Sequence, residues 1–237
     1  MLHELEVIDA SQIIFEDNHL IIINKKASEI VQGDKTGDLP LSEKVKNYIK
    51  LRDNKPGNVF CGVCHRLDRP VSGIVIFAKT SKALSRMNEI FRDKTIQKTY
   101  WAVTKKSPPK KNDKLVHFII KNEKNNTSKA FTIEKQGSLR AELDYTLIAS
   151  ITNYHLLEIN LHTGRHHQIR AQLSAIGCPI KGDLKYGYER SNQKPFIHLH
   201  SYKAEFIHPI KKEKISVKCS PDITDTVWNE LTKAIKK

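Results

Sequence analysis

An α+β fold, with a mixed and mainly antiparallel sheet flanked by helices, is what the sequence predicts. Strand-like and helix-like segments do not alternate strictly, as a doubly wound parallel fold would require. Residues 115–160 hold three or four strand candidates in succession. Helical patterns, near 41–52, 81–93, 166–176 and from about 223, fall between runs of strands.

The elements follow in chain order. Residues 12–24 end in Leu20-Ile-Ile-Ile-Asn24, a short β-branched run that reads as a buried strand. QGDKTGDLP at 32–40 carries turn signals and reads as loop. A helix at 41–52, opened by Ser42, puts Val45, Tyr48 and Ile49 on one side, and Asp53–Gly57 is a turn. Strands are expected at 59–67 and 73–79, with Asp68–Gly73 turning between them. At 81–93, Leu84, Met87, Ile90 and Phe91 have helical spacing and Ser81 is placed to cap. Lys98–Thr104 alternates like a strand, and the basic, proline-containing 105–114 segment reads as an exposed loop. Strands at 127–134, 141–149 and 154–160 precede a helix at 166–176 with Ile169, Leu173 and Ile176 on one stripe. Gly177 and Pro179 stop that helix, strands follow near 197–206 and 214–218, and a last helix begins near 223.

The 237 residues suffice for a sizeable core, and they are read as a single domain. Forty Lys and Arg against 26 Asp and Glu give a formal charge of +14. That excess suggests a polyanionic partner, most often nucleic acid; an anionic membrane surface or a generically basic protein are the other readings. Four cysteines without regular spacing do not suggest a disulfide framework. The first residues carry carboxylates where a signal peptide needs basic ones, and the longest apolar runs are too short to span a bilayer. The expected location is a reducing cytoplasm, with no membrane partner.

Residues 61–68, CGVCHRLD, contain the Cys-x-x-Cys-His pattern of covalent haem attachment. A thiol redox site and half of a zinc site share its first letters. The cytoplasmic expectation and a complement of only two methionines, Met1 and Met87, weaken the haem reading. Asp68 lies where a strand runs into a turn, a usual place for a site residue. It could be nucleophile, base, metal ligand or simply a turn cap. Thr163-Gly-Arg-His-His-Gln-Ile-Arg170 crowds cations at a helix start, where backbone N–H groups also favour anions. Its alternative is a solvated polar helix end. The adjacent His166 and His167 make a poor metal pair. Tyr100 and Trp101 are strand neighbours facing opposite ways, one a core residue and the other available to stack a base or to pack.

Four blocks in order resemble the RluA-type RNA pseudouridine synthases. They are Glu16–Lys25; His65-Arg-Leu-Asp-Arg-Pro-Val-Ser-Gly-Ile74 through Ala78-Lys-Thr80; Lys98-Thr-Tyr100; and Leu161–Arg170, continuing into Ala175–Asp183 and Tyr186-Gly187. The resemblance covers about residues 13–208. It implies the pseudouridine synthase fold, a sheet divided by an RNA-binding cleft, and conversion of uridine to pseudouridine in ribosomal or transfer RNA. Asp68 would be the essential carboxylate, acting at the sugar C1′ or assisting departure of the base. Arg170 would pair with Asp68, and Tyr100 would stack on the flipped uracil and be a candidate base for the C5 proton. Arg66 would fill the space the nucleotide vacates, and Arg165, His167 and Lys25 are further expected RNA contacts. No metal or other cofactor is implied, and a monomer is expected.

The chain departs from the family pattern at several points. Lys26-Ala27-Ser28 follows Lys25 where Pro-Ala-Gly is common, Val71 replaces a threonine, and His166 and Gln172 stand where threonine and histidine are usual. With its first block at Glu16, the chain is expected to lack the N-terminal S4-type domain of some relatives, leaving its basic surface to bind RNA. A catalytically inactive RNA-binding or ribosome-assembly protein on the same fold is the alternative. The intact Asp68, Tyr100 and Arg170 set argues against it.

Overall fold

In the computed structural model, which describes residues 5–235, the elements in chain order are as follows. Strand β1 is Ile13–Glu16, β2 Leu20–Lys25, helix α1 Leu41–Arg52, β3 Gly62–Val63, β4 Ser72–Ala78 and α2 Ser81–Arg92. Then come β5 Gln97–Thr104, β6 Asn112–Asn122, β7 Thr127–Phe131, β8 Leu139–Ile151, β9 Tyr154–Leu161 and α3 Gln168–Ala175. Strands β10 Leu199–Ile207 and β11 Lys214–Lys218 precede α4 Thr226–Ile235. The expected α+β class holds. Two compact units divide the chain: the first runs to Ile96 and adds Lys203–Cys219, and the second comprises Gln97–Tyr202 and the residues from Ser220 on.

In the first unit β2 pairs antiparallel with β1 and β4, β3 with β4, and the last five residues of β10 with β11. Leu20, Ile21, Ile22 and Ile23 are all fully buried, because both faces of β2 are covered. One face packs Leu20, Ile22, Ile74 and Ile76 against Ala83 and Met87 of α2 and against Ala204, Phe206 and Val217. The other sets Ile21, Ile23, Val75 and Phe77 against Leu41, Val45 and Ile49 of α1. A continuous apolar run is the signature of such a strand, and each buried side chain contributes about 1.5–3 kcal/mol.

The second unit orders its strands β5-β9-β8-β6-β7, all paired antiparallel. Helix α4 covers one face, with Trp228 and Leu231 on Trp101, Val103 and Leu156. Helix α3 lies on the opposite face, with Ala171 against Ile119 and Ala141.

Several boundaries differ from expectation for identifiable reasons. Residues 12–24 form two strands, because Asp17 turns the chain by accepting the N–H groups of His19 and Leu20, each at 2.8 Å. Helix α1 is capped at Pro40, and Ser42 lies buried inside it. Helix α2 is capped by Thr80, whose hydroxyl accepts the N–H of Ala83 at 3.2 Å. The strand expected at 59–67 shrinks to Gly62–Val63, since the His65 ring accepts the sheet N–H of Ile76 through Nε2 at 3.2 Å. The 105–114 loop ends early at Lys111, where β6 begins.

Candidate active site

Asp68 is half-buried and opens a tight turn in the first unit, closed by the Val71 N–H on the Asp68 carbonyl at 3.0 Å. The turn is fastened at its next residue. The Arg69 carbonyl accepts the Ser28 N–H at 2.8 Å and the Lys25 ammonium at 3.2 Å. The Arg69 guanidinium reaches Asp38 at 2.7 Å and the Thr36 hydroxyl at 2.6 Å, tying the 34–38 loop to the same point. His65, with Nε2 accepting from Ile76, carries any ring proton of its neutral form on Nδ1.

Lys25 corrects an expectation. It is fully buried, and its ammonium donates to the carbonyls of Lys26, Glu29 and Arg69 at 3.0, 2.8 and 3.2 Å. Three protons meet three acceptors, leaving none for a phosphate. Burial lowers its pKa to about 8, against the opposing pull of Glu29 and Asp68. Lys25 therefore holds the Asp68 turn and adds positive potential near that carboxylate. Arg66, by contrast, is exposed, as an RNA contact requires.

Ser28 has φ +76°, the left-handed region. The departure from Pro-Ala-Gly thus puts a side chain where the family pattern has glycine.

In the second unit Arg170 is 4% exposed and Asp183 is 1% exposed. The Arg170 Nε and one terminal nitrogen donate to the two Asp183 oxygens at 2.7 and 2.8 Å, a bidentate pair. The guanidinium also lies 4.9 Å from the centre of the Tyr186 ring. The Tyr186 hydroxyl accepts the Ser128 N–H at 2.7 Å and is 2.8 Å from His167 Nδ1. His167 starts α3 in the left-handed region, φ 51°, with its ring stacked on His166 at 3.8 Å. His166 Nδ1 is 2.8 Å from the Ser128 hydroxyl. A buried polar network thus fixes the arginine's orientation from β7 through to Asp183.

Tyr100 is 7% exposed and shares its sheet face with its cross-strand partner Ile159. Its neighbour Trp101 stacks on Tyr202 at 3.8 Å and donates Nε1–H to Glu158 at 3.3 Å, so both rings of the pair are buried, where one was expected to be core and the other available. Arg165 is half-buried, its Nε donating to the Arg140 carbonyl at 3.0 Å.

Asp183 and Tyr186 escaped assignment although both lie in the last matched block. Their signal was the Gly182-Asp183 turn preceding an aromatic. Gln172 is fully buried, and its amide nitrogen binds the carbonyls of Leu115 and Ala141 at 3.2 and 3.3 Å, pinning α3 to β6 and β8. Lys98, before Tyr100, is desolvated and its pKa lowered. A Cβ on Gly164 would stand 3.6 Å from its ammonium, which places Lys98 at the Thr163-Gly-Arg motif.

All four cysteines are free thiols. Burial pushes Cys61 and Cys64 up to about 12, so neither is a thiolate at neutral pH. Among the described residues no group of three or more His, Cys, Asp or Glu side chains is placed to hold a metal, and no helix is long and apolar enough to cross a membrane.

The sequence profile of a family described as RNA pseudouridylate synthase matches residues 19–175. The chain is 34% identical over 220 residues to the ribosomal large subunit pseudouridine synthase C of Buchnera aphidicola, covering 90% of this chain and 68% of that one. It is 30% identical over 238 residues to the tRNA pseudouridine synthase C of Haemophilus influenzae, covering 93% and 95%. Several similar large-subunit synthases are longer, and the chain spans 57% or 56% of them. The solved structure of human RNA pseudouridylate synthase domain containing 4 superposes with a TM-score of 0.76 at 22% identity, over 94% of this chain and 93% of that one. At that identity the likeness speaks for the fold.

Proposed function

The chain belongs to the RNA pseudouridylate synthase family, and from that premise we propose that it isomerises specific uridines of ribosomal or transfer RNA to pseudouridine, with Asp68 as the essential carboxylate. The observation that carries the assignment is the Asp68 turn: a half-buried carboxylate fastened from beneath through the Arg69 carbonyl by Lys25 and Ser28.

The reaction breaks the bond between uracil N1 and ribose C1′, turns the base, and forms a bond from C5 to C1′. The C5 proton leaves and N1 gains one, so atoms balance with no electron transferred. Asp68 attacks C1′ or assists departure of the base, and either role needs an ionised carboxylate in a partly dry setting. Arg170 supplies its counter-charge, with Asp183 and Tyr186 setting the guanidinium's direction. Tyr100 is the platform for the flipped uracil and the candidate base for the C5 proton. Arg66 takes the vacated place in the stack, and Arg165 and His167 approach the backbone. The enzyme works as a cytoplasmic monomer without a bound cofactor.

Mapping pseudouridines across total RNA from cells with and without the gene, and with Asp68→Asn in its place, tests this. At least one site should vanish on deletion and return only with the unaltered protein. Full restoration by Asp68→Asn would refute the assignment.

A further inference from the structure

Strand alternation divides the β6-β7-β8 part of the second unit into two unlike faces. Ile119 and Ala141 point to the side that α3 covers. The opposite side carries Val116, Phe118 and Ile120 on β6, Lys129 and Phe131 on β7, and Arg140 on β8. Register sets Phe118 directly across from both Phe131 and Arg140. Val116 is 36% exposed, the two rings are half-buried, and Lys129 and Arg140 are exposed.

Cations surround the ring pair. The Lys135 and Lys129 ammonium groups lie 4.3 and 5.5 Å from the centre of the Phe131 ring. Glu142, across from Val116, is engaged by Arg140 at 2.7 Å and Lys114 at 3.1 Å, which neutralises it and leaves the patch positive. A cross-strand aromatic pair alone would be worth about 0.2–1 kcal/mol to the hairpin. That gain does not require a rim of lysines and arginines. Aromatic rings on an open sheet bordered by cations are how single-stranded nucleic acid is held: bases stack on the rings and phosphates meet the charges.

We propose that this face binds a single-stranded segment of the substrate RNA, with bases on Phe131 and Phe118 and phosphates on Lys129 and Lys135. The proposal rests on the synthase reading, which makes RNA the polyanion. It adds a surface on the sheet face away from Tyr100, which shares its face with Ile159 and, through register, with Tyr145. Strand β7 is last in the second unit's order, and its Ser128 touches His166. An RNA strand passing over that edge therefore goes from the ring pair to the Thr163–Arg170 motif.

Fluorescence anisotropy with a labelled single-stranded oligouridylate, and with an RNA duplex of equal length, tests the surface in the full chain. Phe131→Ala should weaken single-strand binding about tenfold, the loss of one stacked base. The exposed pair Lys129→Glu with Lys135→Glu, which leaves the core untouched, should flatten log K against log salt by about 1.4, two phosphate contacts. Unchanged affinity and salt slope in both variants, or a duplex bound as tightly as the single strand, overturns the proposal. Pseudouridine formation by the unaltered protein separates the two readings. If it modifies RNA while these variants bind normally, the surface is wrong and the synthase stands. If the variants lose binding but no RNA is modified, the surface stands and the synthase reading fails.

Discussion

Replacing Asp183 by asparagine keeps the shape of the side chain and removes its charge. Arg170 and Asp183 are 4% and 1% exposed, so the change strips a buried guanidinium of the carboxylate bound to its Nε edge. Breaking one side of a buried ion pair costs about 3–5 kcal/mol. For a chain of 237 residues that corresponds to a fall in Tm of roughly 6–20 °C. Calorimetry or circular dichroism melting reads it directly. The double variant Arg170→Met with Asp183→Leu removes both charges and should recover most of the loss, because apolar replacements of a buried pair are often neutral or better. Its pseudouridine formation should be abolished, since Arg170 is the proposed counter-charge of Asp68. A single variant melting within about 2 °C of the unaltered protein would refute the reasoning, as would an active double variant.

Other outcomes are equally open to measurement. Ser28→Gly should stabilise the protein by about 0.5–1 kcal/mol in urea unfolding, because a left-handed residue costs roughly 1–2 and glycine's extra chain entropy returns part of that. Lys25, with its pKa lowered to about 8, should titrate near there in ¹⁵N-lysine NMR; a value near 10.5 would mean that it is solvated. Since the unfolded chain binds that proton more tightly, Lys25 should make stability rise between about pH 8 and 10.5. Burial lowers the His208 pKa in the fold, so its contribution should fall away as pH drops below 6.5, where the unfolded histidine takes up a proton first. Asp17, pushed down to about 2, stabilises above 3.8 and loses that contribution between about pH 4 and 2. Unfolding midpoints across pH, with His208→Gln flattening the upper limb, check both.

What the sequence disclosed tracks how local the cause was. Strand β11 matched its expected 214–218 bounds because alternation and flanking charges determine it within five residues. The run Leu20–Ile23 was legible as buried for the same reason. The segment at 59–67 misled because its apolar letters are those of a strand, while at Ile76 the ring of His65, not the segment's backbone, accepts the sheet N–H. The 105–114 loop misled because the polar start of β6 is exposed and carries no hydrophobic signal. At the site, the resemblance named Asp68 and Arg170, whereas burial of Lys25 under three carbonyls depends on chain segments more than forty residues apart. The phenylalanine pair on β6 and β7 was invisible until register set the two rings opposite each other.

Strand β10 begins in the second unit and ends in the first, and this bears on how the chain is made. The first unit's core needs Ala204, Phe206 and Val217, which follow the whole of Gln97–Tyr202. At about 5–20 residues per second, a ribosome spends roughly 5–20 s on that stretch while β2 and β4 wait with one face unfinished. The second unit is completed later still, when Trp228 and Leu231 emerge. Each unit thus remains open until those late residues have been made, and the apolar strands Leu20–Lys25 and Ser72–Ala78 are where a nascent-chain chaperone should be found by crosslinking.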